Sequence, residues 1–396
     1  MTTPRVLSAA LAVISLSACG SSQTAPTSTS AAASVTTTTA VPVSVTPASV
    51  TQALTIDFSS VDVYSFASLP VFYDGAVAAL DNSPGAIDDR VATVGRVLFY
   101  DKKLSFNDTV SCSSCHQQAQ GFSDTSRFSA GLFGASAMSA HAPRLGNVRY
   151  YQPGSMFWNK RAPSLEFQAT QPIQDSFEMG FTASVGGINA LITKMNAVAY
   201  YPDLFTFAFG SSAITEARIQ QALAQFERAM ISSSSRWDAA YAQVFTPSGN
   251  RNLNVDLPGF TAEENRGRAL FMGGAGASIP CAACHAPPTF ALDANARGIG
   301  LDAGETTVFK APSLKNVALT GPYMHDGRFA TLDQVLQHYD NGIRPGPALD
   351  NRLRDGNGGV RGFNLNGTDR QAVIAFLRTL NDTSLTTDRR FSNPFR

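Results

Sequence analysis

A mainly α fold with long loops is what this sequence predicts, on three observations. Apolar residues recur at helical spacing in several separate stretches, and no stretch alternates apolar with polar as a half-buried strand would. Proline breaks and small-residue runs set the helices apart. The pattern CxxCH occurs twice, as CSSCH (Cys112 to His116) and CAACH (Cys281 to His285).

The 396 residues suffice for two domains of ordinary size, and 44% hydrophobic residues can build a sizeable core. Charged residues are only 15% and formal net charge is zero. Without a basic excess to neutralise phosphates, the composition argues against nucleic acid as a partner. Docking to another protein must use a local patch, not a global field.

In chain order, residues 1–18 read as an export signal. Arg5 supplies its positive charge, and Val6 to Leu16 form an apolar run too short to span a bilayer. Leu16-Ser-Ala-Cys19 resembles a bacterial lipobox, in which the cysteine becomes the lipidated N-terminus; ordinary cleavage after small residues is the alternative. Five cysteines are two CxxC pairs plus Cys19, which favours lipidation. Residues 19–58 are then a lipidated N-terminus and flexible linker of Ser, Thr, Ala, Val and Pro. Two folded parts follow, 59–246 and 247–396.

In the first part, Val91, Val94, Leu98 and Phe99 mark a helix before CSSCH, and a small-residue loop follows to Ala140. Tyr150 to Thr182 holds Trp158, Arg161, Glu166, Gln168, Asp175, Glu178 and Met179 among Pro153, Pro163 and Pro172, the composition of a site and not of a scaffold. Ile188 to Met195 and Ile219 to Met230 mark further helices, the second capped by Thr215. Pro247 to Pro258 reads as a linker, and Thr261-Ala-Glu-Glu264 as a capping box opening the helix before CAACH. Leu332, Val335, Leu336 and Tyr339 share a face of a later helix. The last runs from Thr368 to Leu380, capped by Thr368 and Gln371. Helix, CxxCH, loops, helices thus occurs twice, a weak internal repeat.

CxxCH is the attachment pattern of c-type haem. Two thiols one turn apart add to the two vinyl groups on one porphyrin edge, and the adjoining imidazole binds iron. A zinc half-site, a redox dithiol or a disulfide would also use CxxC. A four-cysteine zinc ribbon normally spaces its pairs about 15–20 residues apart, against 165 residues between Cys115 and Cys281. A redox pair has no need of a following His. The reading is two covalent haems, on Cys112, Cys115 and His116 and on Cys281, Cys284 and His285, in two cytochrome c-like domains.

Over roughly residues 80 to 381, the motifs closely resemble the bacterial di-haem cytochrome c peroxidases, including the MauG-like branch. The match includes Val94-Gly-Arg-Val-Leu-Phe-Tyr-Asp101, Gly121-Phe-Ser-Asp124, Phe157-Trp158, Leu165-Glu166, Glu178-Met-Gly180, Ala311-Pro-Ser-Leu-Lys-Asn316 and Pro322-Tyr-Met-His-Asp-Gly327. The resemblance implies a peroxidatic haem on His116, in 59–246, and an electron-transfer haem on His285, in 247–396. It places Trp158 between the haems, Glu178 and Gln168 over the open iron face, and Tyr339 where classical members carry a methionine ligand and MauG-like members a tyrosine. His338 is the rival ligand, about 100° round the helix. His141 replaces the Asn of an Asn-x-Pro motif that normally binds calcium, and reads as structural. A calcium ion would then rely on carbonyls of Thr320 and Pro322. Leu132 occupies the place of a distal histidine, Asn159-Lys160 departs from the family's Asp-Gly, and His325 belongs to a matched motif outside the iron ligands.

The implied activity is periplasmic reduction of hydrogen peroxide to water with electrons from a small cytochrome c or cupredoxin. MauG-like oxidation of a side chain on a partner protein and a di-haem electron carrier are the alternatives. A lipid anchor on Cys19 would hold the enzyme at a membrane, and a homodimer is an assembly the resemblance leaves open.

Overall fold

The computed structural model describes residues 45–65, 69–134, 139–152 and 154–396. The export signal, Cys19 and most of the linker lie outside the described residues. Among the described residues no helix is long and apolar enough to cross a membrane.

The structure is helical with one two-residue β ladder, His285–Ala286 against Ala291–Leu292, among the described residues. Two apolar cores organise it. The first gathers the helices Asp89–Tyr100, Tyr200–Phe209 and Glu216–Arg228. The second gathers Arg236–Val244, Ala262–Phe271 and Gly367–Arg378. The cores do not split at residue 246. Phe72, Trp237 and Tyr241 belong to the second, while Leu385 and Phe391 return to the first.

The linker is also shorter than expected. Ala48–Ala53 is a helix whose Val50, with Leu54 after it, is buried in the first core. Leu54 bridges to Phe395, and Arg396 Nε donates to the Thr51 carbonyl at 2.8 Å. Val50, Leu54, Ile56 and Phe58 are the apolar signal hidden in that Ser/Thr-rich stretch.

The internal repeat is physical. Asp89–Tyr100 crosses Glu216–Arg228 in the first half, and Ala262–Phe271 crosses Gly367–Arg378 in the second. Each crossing has a glycine at its contact. A methyl group on Gly95 would collide with the Ala222 carbonyl and Phe226 Cβ, and one on Gly267 with the Ala372 carbonyl and Phe376 Cβ. Gly95→Ala or Gly267→Ala would gain about 0.5–1 kcal/mol of helix propensity and lose about 1–3 kcal/mol to overpacking. Urea melts of either variant should show net destabilisation.

Helix ends follow side-chain caps. Thr215 Oγ1 accepts from Arg218 N, and Thr261 with Glu264 closes the expected capping box. The last long helix starts earlier than its sequence signal: Asn366 accepts from Asp369 N and opens Gly367–Arg378, displacing Thr368 as cap.

Candidate functional site

Cys112–Cys115 forms a single helical turn, opened by Ser111 with Ser114 in a capping box, and His116 closes it. His116 Nδ1 donates to the Phe122 carbonyl at 3.0 Å, so Nε2 keeps its lone pair. Phe122 adopts the left-handed conformation, φ 63°, a costly setting for a bulky residue that turns its carbonyl onto the ring. Phe290 repeats this in the second half with φ 51°. Its carbonyl accepts from Leu314 N at 3.0 Å and faces the His285 ring, yet His285 Nδ1 is buried without a full hydrogen bond. Burial and then Arg144 press the His285 pKa down to about 4, so it is neutral and able to ligate.

Each CxxCH opens onto its own cavity. The first is lined by Cys112, Cys115, His116, Gln168, Glu178 and Glu227. The second, the roomier of the two, is lined by Cys281, Cys284, His285, Trp158, Arg144 and Tyr339 among mostly apolar residues. All four described cysteines are free, and among the described residues no group of three or more His, Cys, Asp or Glu is arranged to hold a metal ion. Burial raises Cys115 and Cys284 to about 11 and Cys281 to about 12, leaving them thiols.

Haem suits both cavities. Each has two thiols and a neutral imidazole on one wall of an apolar space. A porphyrin also carries two carboxylates, and the wall of the second cavity carries the cation Arg144, which shares a small neighbouring cleft with Lys310. Arg144 bonds only to Ser313, to the Pro312 carbonyl at 3.3 Å and to Thr320 Oγ1 at 3.2 Å. Lys310 lies over the Tyr151 ring at 4.8 Å. Burial lowers Arg144 to about 10, and burial with Lys160 and Arg144 lowers Lys310 to about 8. Neither has a carboxylate partner among the described residues.

The Arg144 guanidinium donates to the Thr320 hydroxyl at 3.2 Å, which brings a positive charge beside one of the two residues expected to offer a carbonyl to calcium. The buried His141 ring is committed, with Nδ1 donating to the Ser126 carbonyl at 3.0 Å and Nε2 meeting Ser123 Oγ at 3.2 Å.

Gln168 comes from the short helix Leu165–Ala169, capped by Ser164. Glu178 follows a turn in which Asp175 Oδ1 accepts from the backbone N–H of Phe177 and Glu178. Burial first, then Asp175, raise the Glu178 carboxyl to about 7, with Arg161 opposing. Trp158 lies against the second cavity, and its Nε1 donates to the His141 carbonyl at 2.7 Å. Bonds therefore run from His116 through Phe122, Ser123 and His141 to Trp158.

Tyr339 lies where Leu332–Gln337 loosens into a π turn, His338–Gly342, a distortion frequent at functional sites. It stacks on Phe363 with ring centroids 5.0 Å apart, and burial followed by Cys284 and Cys281 raises its phenol well above the usual value. The rival His338 is buried, with Nε2 donating to the Ile299 carbonyl at 3.0 Å. His325 stacks on Phe309 at 3.8 Å and lines the second cavity. Sequence reasoning missed Glu227, Arg144 and Lys310.

The family model for di-haem cytochrome c peroxidases matches residues 89–244 and 262–346. The chain is 33% identical over 304 residues to methylamine utilization protein MauG of Methylorubrum extorquens, covering 72% of this chain and 77% of that protein. It is 29% identical over 264 residues to cytochrome c551 peroxidase of Nitrosomonas europaea, covering 62% and 72%. The crystal structure of a MauG-like protein associated with microbial copper homeostasis superposes with a TM-score of 0.62 at 30% identity, covering 78% of this chain and 94% of that one. The chain belongs to the di-haem cytochrome c peroxidase family, a family of oxidoreductases that carry two haem c groups.

Proposed function

We propose that the chain reduces hydrogen peroxide to water in the periplasm, with electrons from a small cytochrome c or cupredoxin, while lipid on Cys19 anchors it. The observation that carries this reading is Glu178, with Gln168, facing the His116 cavity. When bound there, haem supplies the iron that takes peroxide, and the second haem the route for electrons. Each turnover consumes two electrons and two protons and yields two waters. Glu178 Oε takes a proton from the near peroxide oxygen and returns it to the far one, which leaves as water. Gln168 orients the peroxide through its amide. A carboxyl with a pKa of about 7 can do both at neutral pH. Trp158 lies on the route from the second cavity. A pure electron carrier has no use for such an acid.

Tyr339 favours a second reading, MauG-like oxidation of a side chain on a partner protein. Phenolate stabilises oxidised iron, whereas methionine raises the potential. Tyr339→Met should therefore raise one haem potential by on the order of 100 mV, within the roughly 0.8 V that axial ligands span, in a spectroelectrochemical titration. Unchanged potentials would remove Tyr339 as a ligand. To separate the two readings, the holoenzyme is given peroxide with and without a reduced small cytochrome c. Rapid turnover with the donor is expected. A long-lived state two equivalents oxidised that ignores the donor would favour the second reading.

A further inference from the structure

We infer that Glu227 is a proton store for the haem on His116: it binds a proton as that iron gains an electron and releases it as the electron leaves. The inference rests on the reading that this cavity holds haem.

Glu227 lies in the last turn of Glu216–Arg228, on the inward face four residues after the buried Leu223. It is 6% exposed and lines the cavity with Cys112 and Glu178, and its Oε2 has no hydrogen-bond partner. The adjacent Arg228 does not serve it. That guanidinium grips both oxygens of Glu166 and donates to Asn82 Oδ1 at 2.9 Å. An ionised Glu227 would therefore leave Oε2 buried without a donor, which favours the neutral acid.

The charged groups around it leave this conclusion intact. Arg228, on its own helix, is neutralised by Glu166 from Leu165–Ala169. Cys112 becomes an uncharged thioether on haem attachment. Glu178 is the one other free acid on the cavity wall. Burial holds Glu227 at about 8, with Arg228 lowering and Glu166 raising it.

An electron added to the iron makes the cavity more negative and strengthens proton binding. Above pH about 8, where Glu227 is ionised beside ferric iron, the balance is Fe(III) plus one electron, Glu227–COO⁻ and one H⁺, giving Fe(II) and Glu227–COOH. Electrons come from the protein donor or, in the test, from an electrode. When peroxide takes the electron back, the released proton contributes to the two that form water. A proton is then on hand beside the iron without waiting on bulk solvent.

The test titrates both haems of the holoprotein spectroelectrochemically between pH 6 and 9. Above pH about 8, where Glu227 is ionised while the iron is ferric, one wild-type potential should fall as pH rises, by up to a factor of ten in the reduction equilibrium per unit, or 59 mV for one electron. Glu227→Gln should flatten the slope in that range, while Glu178→Gln, whose carboxyl titrates lower, at about 7, should keep it. A flat wild type, or a slope retained in Glu227→Gln, overturns the inference. Loss of the slope in Glu178→Gln alone does so too, and assigns the proton to Glu178. Should Glu227→Gln fail to hold haem, proton uptake on reducing wild type and Glu178→Gln in weak buffer decides: no uptake by either overturns the inference, and uptake by both sustains it. Fewer than two haems per wild-type chain would instead defeat the reading of the cavities.

Discussion

Glu178→Gln should lower peroxide turnover about 10²–10⁴-fold, the range for loss of a positioned acid–base group, with both haems retained. The amide matches the carboxyl in shape and cannot carry the proton between peroxide oxygens. Wild-type kcat/KM should rise with pH through about 7, because the proton-accepting form of Glu178 is the carboxylate and burial holds its pKa there. The variant should lack that limb. Steady-state kinetics from pH 5 to 9 with a reduced cytochrome donor measure both effects. Wild-type turnover in the variant would remove Glu178 from the mechanism. Loss of haem would show instead that Glu178 is structural.

Glu178 and Glu227 mark how far the site could be read from sequence. Glu178 was found because its segment resembles a known motif. Nothing in composition separates it from a solvated surface acid, and its raised pKa comes from burial in a cavity that Gly131 and Met179 help to wall. Glu227 left a signal that went unused: a carboxylate four residues from Leu223 on an apolar helical face is costly unless something answers it. Arg144 left no such signal. It lies in a loop without period, and only the fold brings Ser313 and Thr320 from about 170 residues away to meet it, as the separations of 169 and 176 show.

The scaffold was more legible. Apolar periodicity located the helices because each buries one stripe, and local caps at Thr215 and Thr261 opened them where expected. The errors came where tertiary contacts decide. Val50 and Leu54 are covered by chain from the far C-terminal end, and Phe72 crosses to the second core. The π turn at Tyr339 likewise departs from regular helical spacing, so the face assigned from Leu332 and Leu336 could not fix where Tyr339 sits.

Asp238→Ala should destabilise the holoprotein by about 3–5 kcal/mol, the cost of leaving one member of a buried ion pair alone. Lys315 Nζ meets Asp238 Oδ2 at 2.6 Å with both side chains almost wholly enclosed, and the ammonium lies 4.9 Å from the Trp237 ring centre. The same carboxylate accepts from Ser235 N at 2.8 Å and closes the capping box of Arg236–Val244. Without it the lysine must shed its proton or stay charged in an apolar interior. The effect should reach the second haem site, because Leu314, next to Lys315, donates to the Phe290 carbonyl that faces His285. Urea unfolding followed at the haem band measures the loss. A paired Asp238→Leu, Lys315→Met variant, which removes both charges at similar volume, should recover most of it. If the single variant were as stable as wild type, the pair would not be holding this wall. If the paired variant were as unstable as the single one, the carboxylate's cap and not the buried charge would be what the site depends on.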